Sequence, residues 1–279
     1  MNGDLAQLVS RALAEDAGRG DATTEAVIPS DARARARIIQ KQPGVLFGLE
    51  AASEAFTQAG ATSFDGLVLE GQWRDQVPAD VALVSGRAVP LLLAERTALN
   101  FLAHLSGVAT LAARYVEAVR GTKATILDTR KTTPGLRALE KAAVAAGGAT
   151  NHRMNLHEGI LIKENHAALA GGVAAAVEKA RAAKPDIPVE VECSDATEVA
   201  AALTAGADRL LLDNMDAAAL TEAVAARDAA GSSAELEASG GVNLGNVTEI
   251  AATGVEFISV GALTHSAPAL DLSVLLEPA

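Results

Sequence analysis

From residue 124 onward the chain repeats one short unit: an apolar run, a polar tip, then an Ala-rich stretch with helical spacing. The strand candidates are ATILD (124–128), GILIK (159–163), PVEVEC (188–193), DRLLLD (208–213), AELEAS (234–239) and EFISVG (256–261). Helical stretches such as DATEVAAALTAGA and NLGNVTEIAATG alternate with the later ones. Alternating strands and helices imply a parallel sheet with right-handed crossovers. The beat runs without a composition break, which favours a barrel over an open sheet. Six strands are too few for the usual eight. The expectation is therefore an α/β fold: an atypical, incomplete α/β barrel with a smaller N-terminal α+β domain. Hydrophobic residues make up 49% of the chain but aromatics only 3%, so Ala, Val and Leu must do the packing.

The first hundred residues lack this beat. A helix is expected over residues 5–14, followed by the polar loop EDAGRGDATT. ARARARIIQKQPGVLFG alternates around Pro43-Gly44 as a half-buried hairpin would, placing Arg33, Arg35 and Arg37 on one solvated face. LVLEGQW and VALVSGRAV read as further strands and GLEAASEAFTQAG as an amphipathic helix. A long helical pattern covers residues 91–120, with a break expected near Ser106-Gly107. These signals divide the chain into an N-terminal domain, 1–105, and a catalytic domain, 106–279, whose tail is free to pack back on the first.

A net charge of −12 disfavours nucleic-acid and anionic-membrane partners. It also makes any local cluster of cations a feature that needs a reason. The single Cys193 allows no intrachain disulfide and reads as an apolar filler on a buried strand. Trp73 and Tyr115 read as ordinary packing residues. No basic-then-apolar leader opens the sequence and no apolar run approaches the roughly 18 residues of a membrane span, so the cytoplasm is the expected compartment.

The chemistry sits at the strand tips, which converge on one mouth in an α/β barrel. The tips sort by type. Arg130, Lys131, His152, Arg153 and Lys163 lie on or beside two strands, with Arg137 nearby. Cations gathered in a cleft need an anion, and Arg and Lys suit carboxylates and phosphates respectively. Salt bridges to Glu140, Glu158 and Glu164 are the plain alternative. EASGGV and SVGA are small-residue turns on consecutive strands, apt for a phosphate. Glu192 and Asp213 end the strands between; they suit either Mg²⁺ or ribose hydroxyls. No HExxH, CxxC or clustered His pattern points to zinc, and no P-loop or dinucleotide fingerprint opens a helix.

The run DTRKTTPGLRALEKAAVAAGGATNHRMNLHEGILIKENH resembles the central motif of the quinolinate phosphoribosyltransferase family. The resemblance continues, in order, through EDAGRGDATT, ERTALNFLAHLSGVAT, VEVE, LLLDNM, EASGGV and GVEFISVGALTHS. It spans nearly the whole chain. It implies Mg²⁺-dependent transfer of a phosphoribosyl group from phosphoribosyl pyrophosphate to quinolinate. The products would be nicotinate mononucleotide, pyrophosphate and CO₂, on the de novo route to NAD. It further implies a homodimer in which Arg96 reaches into the partner's site. Arg96, Arg130, His152, Arg153 and Lys163 would hold the quinolinate carboxylates, Thr129 would also bind substrate, and Lys131 and Lys163 would also serve the pyrophosphate. Glu192 and Asp213 would face ribose and Mg²⁺. Ser239, Gly240 and Gly241 with Val260, Gly261 and Ala262 would take the 5′-phosphate. The sequence departs from the family pattern at Ala142, where an aromatic is frequent, at Ala149, where Gly is common, and at Glu164, where Asp is usual.

Two other readings compete. A paralogue of the same fold accompanies molybdenum uptake, but its lineage tends to lose the LIKENH pattern that is intact here. A Schiff-base aldolase would use Lys163 as nucleophile, leaving Arg130, Arg153 and the glycine pairs with less to do.

Overall fold

The computed structural model describes residues 2–279. In chain order the elements are α1 (Asn2–Ala17), α2 (Ala22–Val27), β1 (Arg33–Gln40), β2 (Gly44–Val45), α3 (Leu49–Ala59), β3 (Ser63–Gly66), β4 (Trp73–Arg74), β5 (Ala79–Arg87) and α4 (Ala88–Ala118). There follow β6 (Thr125–Leu127), α5 (Arg137–Ala146), β7 (Ile160–Ile162), α6 (Glu164–Ala170), α7 (Val173–Ala183) and β8 (Val189–Cys193). Last come α8 (Ala196–Thr204), β9 (Arg209–Asp213), α9 (Ala217–Ala229), β10 (Glu235–Ser239), α10 (Val247–Ala252), β11 (Phe257–Ser259), α11 (Ala262–His265) and β12 (Leu272–Pro278). The chain divides into two compact units: one runs to Leu111 and adds Ala267–Ala279, and the other is Ala112–Ser266.

The first unit carries a four-stranded antiparallel sheet in the order β12-β1-β5-β3. Along β1, Ala34, Ala36, Ile38 and Gln40 are buried, while Arg33 and Arg35 are exposed and Arg37 pairs with Asp80 at 3.5 Å. The alternation expected for this strand is therefore present, but the hairpin is not. Both edges of β1 are occupied by the distant strands β5 and β12, so β2 pairs instead with β4. LVLEGQW likewise is not a strand; only Trp73 at its end is, and Leu67 and Leu69 are exposed. Trp73 is half-exposed rather than packed and donates to Asp75 Oδ1 at 2.8 Å, whereas Tyr115 is buried. The polar loop after α1 holds a further short helix, α2, capped by Asp21, which accepts from the amides of Thr23 and Thr24.

The break expected at Ser106-Gly107 is absent, because α4 runs through it. Both residues have other work within the first unit. Ser106 Oγ accepts from Phe47 N and donates to Phe47 O, and Thr110 Oγ1 accepts from Val45 N one turn later. The two compact units meet at 111/112, inside α4. A Cβ on Gly107 would lie 2.2 Å from Pro268 O, so the glycine permits close approach of the returning C-terminal segment. That segment continues into β12, which completes the sheet.

In the second unit the six strands expected from the sequence form one parallel sheet, in the order β6-β11-β10-β9-β8-β7. From β7 to β11 each strand neighbours the next in sequence, and the last, β11, pairs with the first, β6. Among the described residues no ladder joins β6 to β7, although a single bridge links Leu127 to Thr150. The barrel is thus open at one seam, and residues 151–159 connect across it. Outward-facing Val189, Val191, Leu210, Leu212, Leu236 and Ile258 are fully buried under helices through small partners such as Val177, Ala202 and Ala223. The other face carries Glu190, Glu192, Arg209, Asp213, Glu237 and Ser239, as the period of two requires. Cys193 is fully buried, and burial followed by nearby carboxylates pushes its thiol up to about 12, as suits an inert filler.

Replacing Gly107 by Ala should overpack the contact with Pro268 and destabilise the protein by about 1–3 kcal/mol. Denaturant melts read this directly; an unchanged midpoint would show that the C-terminal segment yields freely.

Candidate active site

The carboxyl ends of all six parallel strands face one cavity of about 340 Å³, entirely within the second unit. Thr129, Arg130 and Lys131 enter after β6, and Lys163 after β7. Glu192 and Asp213 end β8 and β9 on the adjoining side, and Ser239 ends β10. His152 and Arg153 come from the segment that crosses the seam. Nine of the residues singled out from sequence therefore line one space. Gly240 and Gly241 follow Ser239 directly, and Val260, Gly261 and Ala262 turn the chain from β11 into α11. Arg96 is exposed on α4 and belongs to the first unit.

The glycine turns have local causes. Gly240 has φ +90°, and a Cβ there would sit 2.2 Å from Asn214 Oδ1; Gly241 has φ +61°. Asn214 itself adopts φ +56°, and its amide donates to Ser239 O at 2.8 Å. The tips of β9 and β10 thus interlock, and only glycine fits the second. In the LIKENH run, His166 Nδ1 accepts from Lys163 N at 3.0 Å, which fixes the turn from β7 into α6.

Beneath the cations lies a buried ion pair. Lys141 of α5 and Asp128 after β6 are both fully buried and in contact. Asp128 Oδ1 also accepts from His152 N at 2.8 Å, and Lys141 Nζ donates to His152 O at 2.8 Å. Asn151 presents its amide nitrogen to Lys141 O at 2.9 Å and to Asp128 Oδ2 at 2.7 Å, the orientation that satisfies both acceptors. The pair grips the His152 backbone from both sides and the Asn151 side chain beside it. Burial, partly offset by Lys141 and the His152 amide, holds the Asp128 carboxyl above its ordinary range. Arg137 is a clamp of the same kind, donating to Thr132 Oγ1, Met154 O and Arg130 O at 3.0–3.3 Å. It is not a ligand-facing cation.

The salt-bridge alternative does not hold for Glu158. Glu158 accepts from Met154 N and Asn155 Nδ2 instead. Arg153 Nη1 donates to Gly159 O at 2.7 Å, and Arg130 Nε is buried with no hydrogen-bond partner. Burial, then the positive charge of Arg130, pushes Arg153 below its ordinary range. Two guanidinium groups that repel each other in one cavity call for an anion between them. Lys163 is half-exposed and ion-paired with Glu192, which is not the desolvated lysine a Schiff-base mechanism needs.

His152 has a second set of partners that the strand-tip reading missed. Its Nε2 lies 3.3 Å from Glu190 Oε2 and 3.5 Å from Glu237 Oε2, and its Nδ1 accepts from Arg153 N at 2.8 Å. Arg209 extends the network, with Nη1 3.4 Å from Glu237 Oε2, Nη2 2.7 Å from Glu235 and its guanidinium 3.9 Å above the Phe257 ring. Burial opposes charging of His152, but the two carboxylates outweigh it and push the ring up to about 9. That rise reflects the carboxylates at Nε2; a second proton would have to enter at Nδ1, where the Arg153 amide already donates at 2.8 Å, and this contact keeps the ring singly protonated, on Nε2. The same bond speaks against a metal on the His152, Glu190 and Glu237 cluster. A neutral imidazole ligating through Nε2 carries its proton on Nδ1, face to face with the amide.

The match to known proteins covers almost the whole chain. Residues 108–275 match the C-terminal domain of quinolinate phosphoribosyl transferase and residues 21–106 its N-terminal domain. The chain belongs to the quinolinate phosphoribosyl transferase family. It is 42% identical over 269 residues to the nicotinate-nucleotide pyrophosphorylase (carboxylating) of Mycobacterium leprae, covering 95% of each chain. It is also 42% identical over 275 residues to the protein of that name from Homo sapiens, covering 98% of this chain and 91% of the relative. The solved nicotinate-nucleotide pyrophosphorylase of Francisella tularensis superposes with a TM-score of 0.93 at 38% identity, covering 99% of this chain and 97% of that one.

Within this family member, Glu190, Glu237 and the Asp128–Lys141 pair are the site residues that sequence reasoning passed over. Glu190 and Glu237 were open to it: each stands two residues before a tip residue, Glu192 and Ser239, and so shares its face. Lys141 was not, because ALEKAAV reads as a helix with a solvated Glu-Lys pair. Lys141→Met should strand a buried carboxylate and cost about 3–5 kcal/mol. Urea melts measure it, and a loss under 1 kcal/mol would mean that Asp128 takes up a proton or another partner at little cost.

Proposed function

We propose that the chain transfers the phosphoribosyl group of phosphoribosyl pyrophosphate to quinolinate with loss of CO₂, giving nicotinate mononucleotide and pyrophosphate. The observation that carries this reading is the division of one cavity into two chemistries. Arg130, Arg153 and Lys163 form a cationic side suited to a dicarboxylate, and Glu192, Asp213 and Ser239 a side suited to ribose and a cation. The names of the relatives agree with it.

Arg130 and Arg153 would hold the two carboxylates of quinolinate and so aim the ring nitrogen at the ribosyl carbon. Lys131 and Lys163 would offset charge on the departing pyrophosphate. The glycine turns at Ser239–Gly241 and Val260–Ala262 would receive the 5′-phosphate. Glu192 and Asp213 are half-buried oxygen donors at the ends of adjacent strands, a donor set that fits Mg²⁺. When bound there, Mg²⁺ supplies charge neutralisation for pyrophosphate oxygens. Once the ring nitrogen is alkylated, the pyridinium stabilises the electron pair left on the ring carbon as the adjacent carboxylate departs as CO₂, and a proton from solvent takes up that pair as the new C–H bond. Positioning and electrostatics suffice for each step. No nucleophilic side chain is required.

The working form is a homodimer, with Arg96 donated to the partner's cavity. What supports this is an exposed arginine on α4 that belongs to the first unit while every lining residue belongs to the second.

Purified protein should form nicotinate mononucleotide from quinolinate and phosphoribosyl pyrophosphate only when Mg²⁺ is present; folded protein that makes none overturns the reading. Arg130→Ala should lower kcat/KM by about 2–5 kcal/mol, roughly 30-fold at the least. Near-normal turnover in that variant would remove Arg130 from the site. Mixing inactive Arg96→Ala and Lys163→Ala subunits should restore part of the activity, since each hybrid keeps one intact site. No recovery in confirmed hybrids would place the role of Arg96 within its own subunit.

A further inference from the structure

His152 lines the cavity, yet both of its ring nitrogens are committed to protein. Nδ1 takes the Arg153 amide at 2.8 Å, and Nε2 faces Glu190 Oε2 and Glu237 Oε2 at 3.3 and 3.5 Å. An acceptor at Nδ1 leaves the single ring proton on Nε2, directed at the two carboxylates. The backbone on either side of the ring is held independently, its N–H by Asp128 and its C=O by Lys141. The ring also separates two spaces, since it and Arg153 line a second cavity of about 640 Å³ beside Glu190, Arg209 and Glu235. Glu237 is fully buried and Glu190 nearly so, and each has one carboxylate oxygen with no hydrogen-bond partner. Arg209 reaches Glu237 at 3.4 Å, but the group within 3.5 Å of both carboxylates is the His152 ring.

We infer that Glu190 and Glu237 are positioning residues for anion recognition: they hold the His152 ring, which through Nδ1 fixes the Arg153 amide and hence the guanidinium that meets the substrate carboxylate. His152 is then a brace and not itself a donor to substrate. This differs from the direct role that the family motif implies for it. The chain of contacts runs Arg209 to Glu237 at 3.4 Å, Glu237 to His152, and His152 to Arg153. Only its last member meets the ligand. The assignment rests on the dicarboxylate reading of the cavity for its functional meaning, but the tautomer it requires does not.

Two measurements test it. In protein with ¹⁵N-labelled histidine at pH 7.5, His152 should show one protonated nitrogen, Nε2, and one bare nitrogen, Nδ1, and neither assignment should change when phthalate is added as a non-reacting dicarboxylate. A doubly protonated ring, or an Nε2 signal that moves onto the ligand, overturns the inference. In Glu237→Leu, the Kd for phthalate and the KM for quinolinate should rise at least tenfold, with the KM for phosphoribosyl pyrophosphate within twofold. Glu237→Gln, which keeps an oxygen acceptor, should recover most of the loss, and Glu237→Leu should add nothing in an Arg153→Met background. An unchanged phthalate Kd in folded Glu237→Leu, or equal loss for both substrates, refutes the positioning role. Should Glu237→Leu fail to fold, the labelled wild-type protein still decides the tautomer. If wild-type protein does not bind phthalate at all, the dicarboxylate reading falls while the tautomer result stands on its own.

Discussion

The contact between Lys141 and Asp128 governs the second unit. A fully buried ion pair is a poor source of net stability, because removing two charges from water costs several kcal/mol each. Its value here is positional. Asp128 closes β6 and Lys141 belongs to the following helix, so the pair ties a strand tip to the helix that returns from it. Its spare hydrogen-bonding capacity goes to the backbone of His152 and the side chain of Asn151. A segment with no ladder of its own thereby acquires a fixed path. Arg153 is placed because this path is fixed.

A second layer of charge sits inside the barrel, where branched apolar side chains usually pack. Glu190, Glu237, Arg209 and His152 replace them. Such a layer is expensive unless each member has a partner, and most contacts here are between opposite charges. The arrangement explains how a protein of net charge −12 presents a cationic face. Cations lie at the rim and the compensating carboxylates one layer below, so the rim keeps its attraction for anions.

The sequence made the parallel sheet legible because its strands are short, apolar and closed by tips of distinct chemistry. All six candidates became strands, and nine of the site residues singled out line one cavity. What failed were inferences from local punctuation. Pro43-Gly44 resembles a hairpin turn, but hairpins form only where a strand edge is free, and β1 has none. Ser106-Gly107 resembles a helix break, but one residue bonds to the Phe47 backbone and the other admits Pro268. Those partners lie far away in the chain, beyond the reach of any local pattern. The carboxylates beneath His152 were visible as alternation yet overlooked, since charge inside a barrel contradicts the usual composition of such layers. Lys141 left no trace at all, because its burial depends on where α5 docks.

The open seam between β6 and β7 has a consequence for how this architecture can change over time. Hydrogen-bonded ladders constrain length and register, so insertions there are rarely tolerated. Residues 151–159 cross the one place where no ladder must be kept among the described residues. Of the three cations on the proposed dicarboxylate side of the cavity, Arg153 therefore stands on a segment that no ladder holds in register, whereas Arg130 and Lys163 follow closely on strands. The residues proposed for the phosphoribosyl side, held on β8 to β11, have no such latitude. A lineage on this scaffold can alter which acid it accepts while keeping its sugar-phosphate donor, the way a tool keeps its handle when the bit is exchanged.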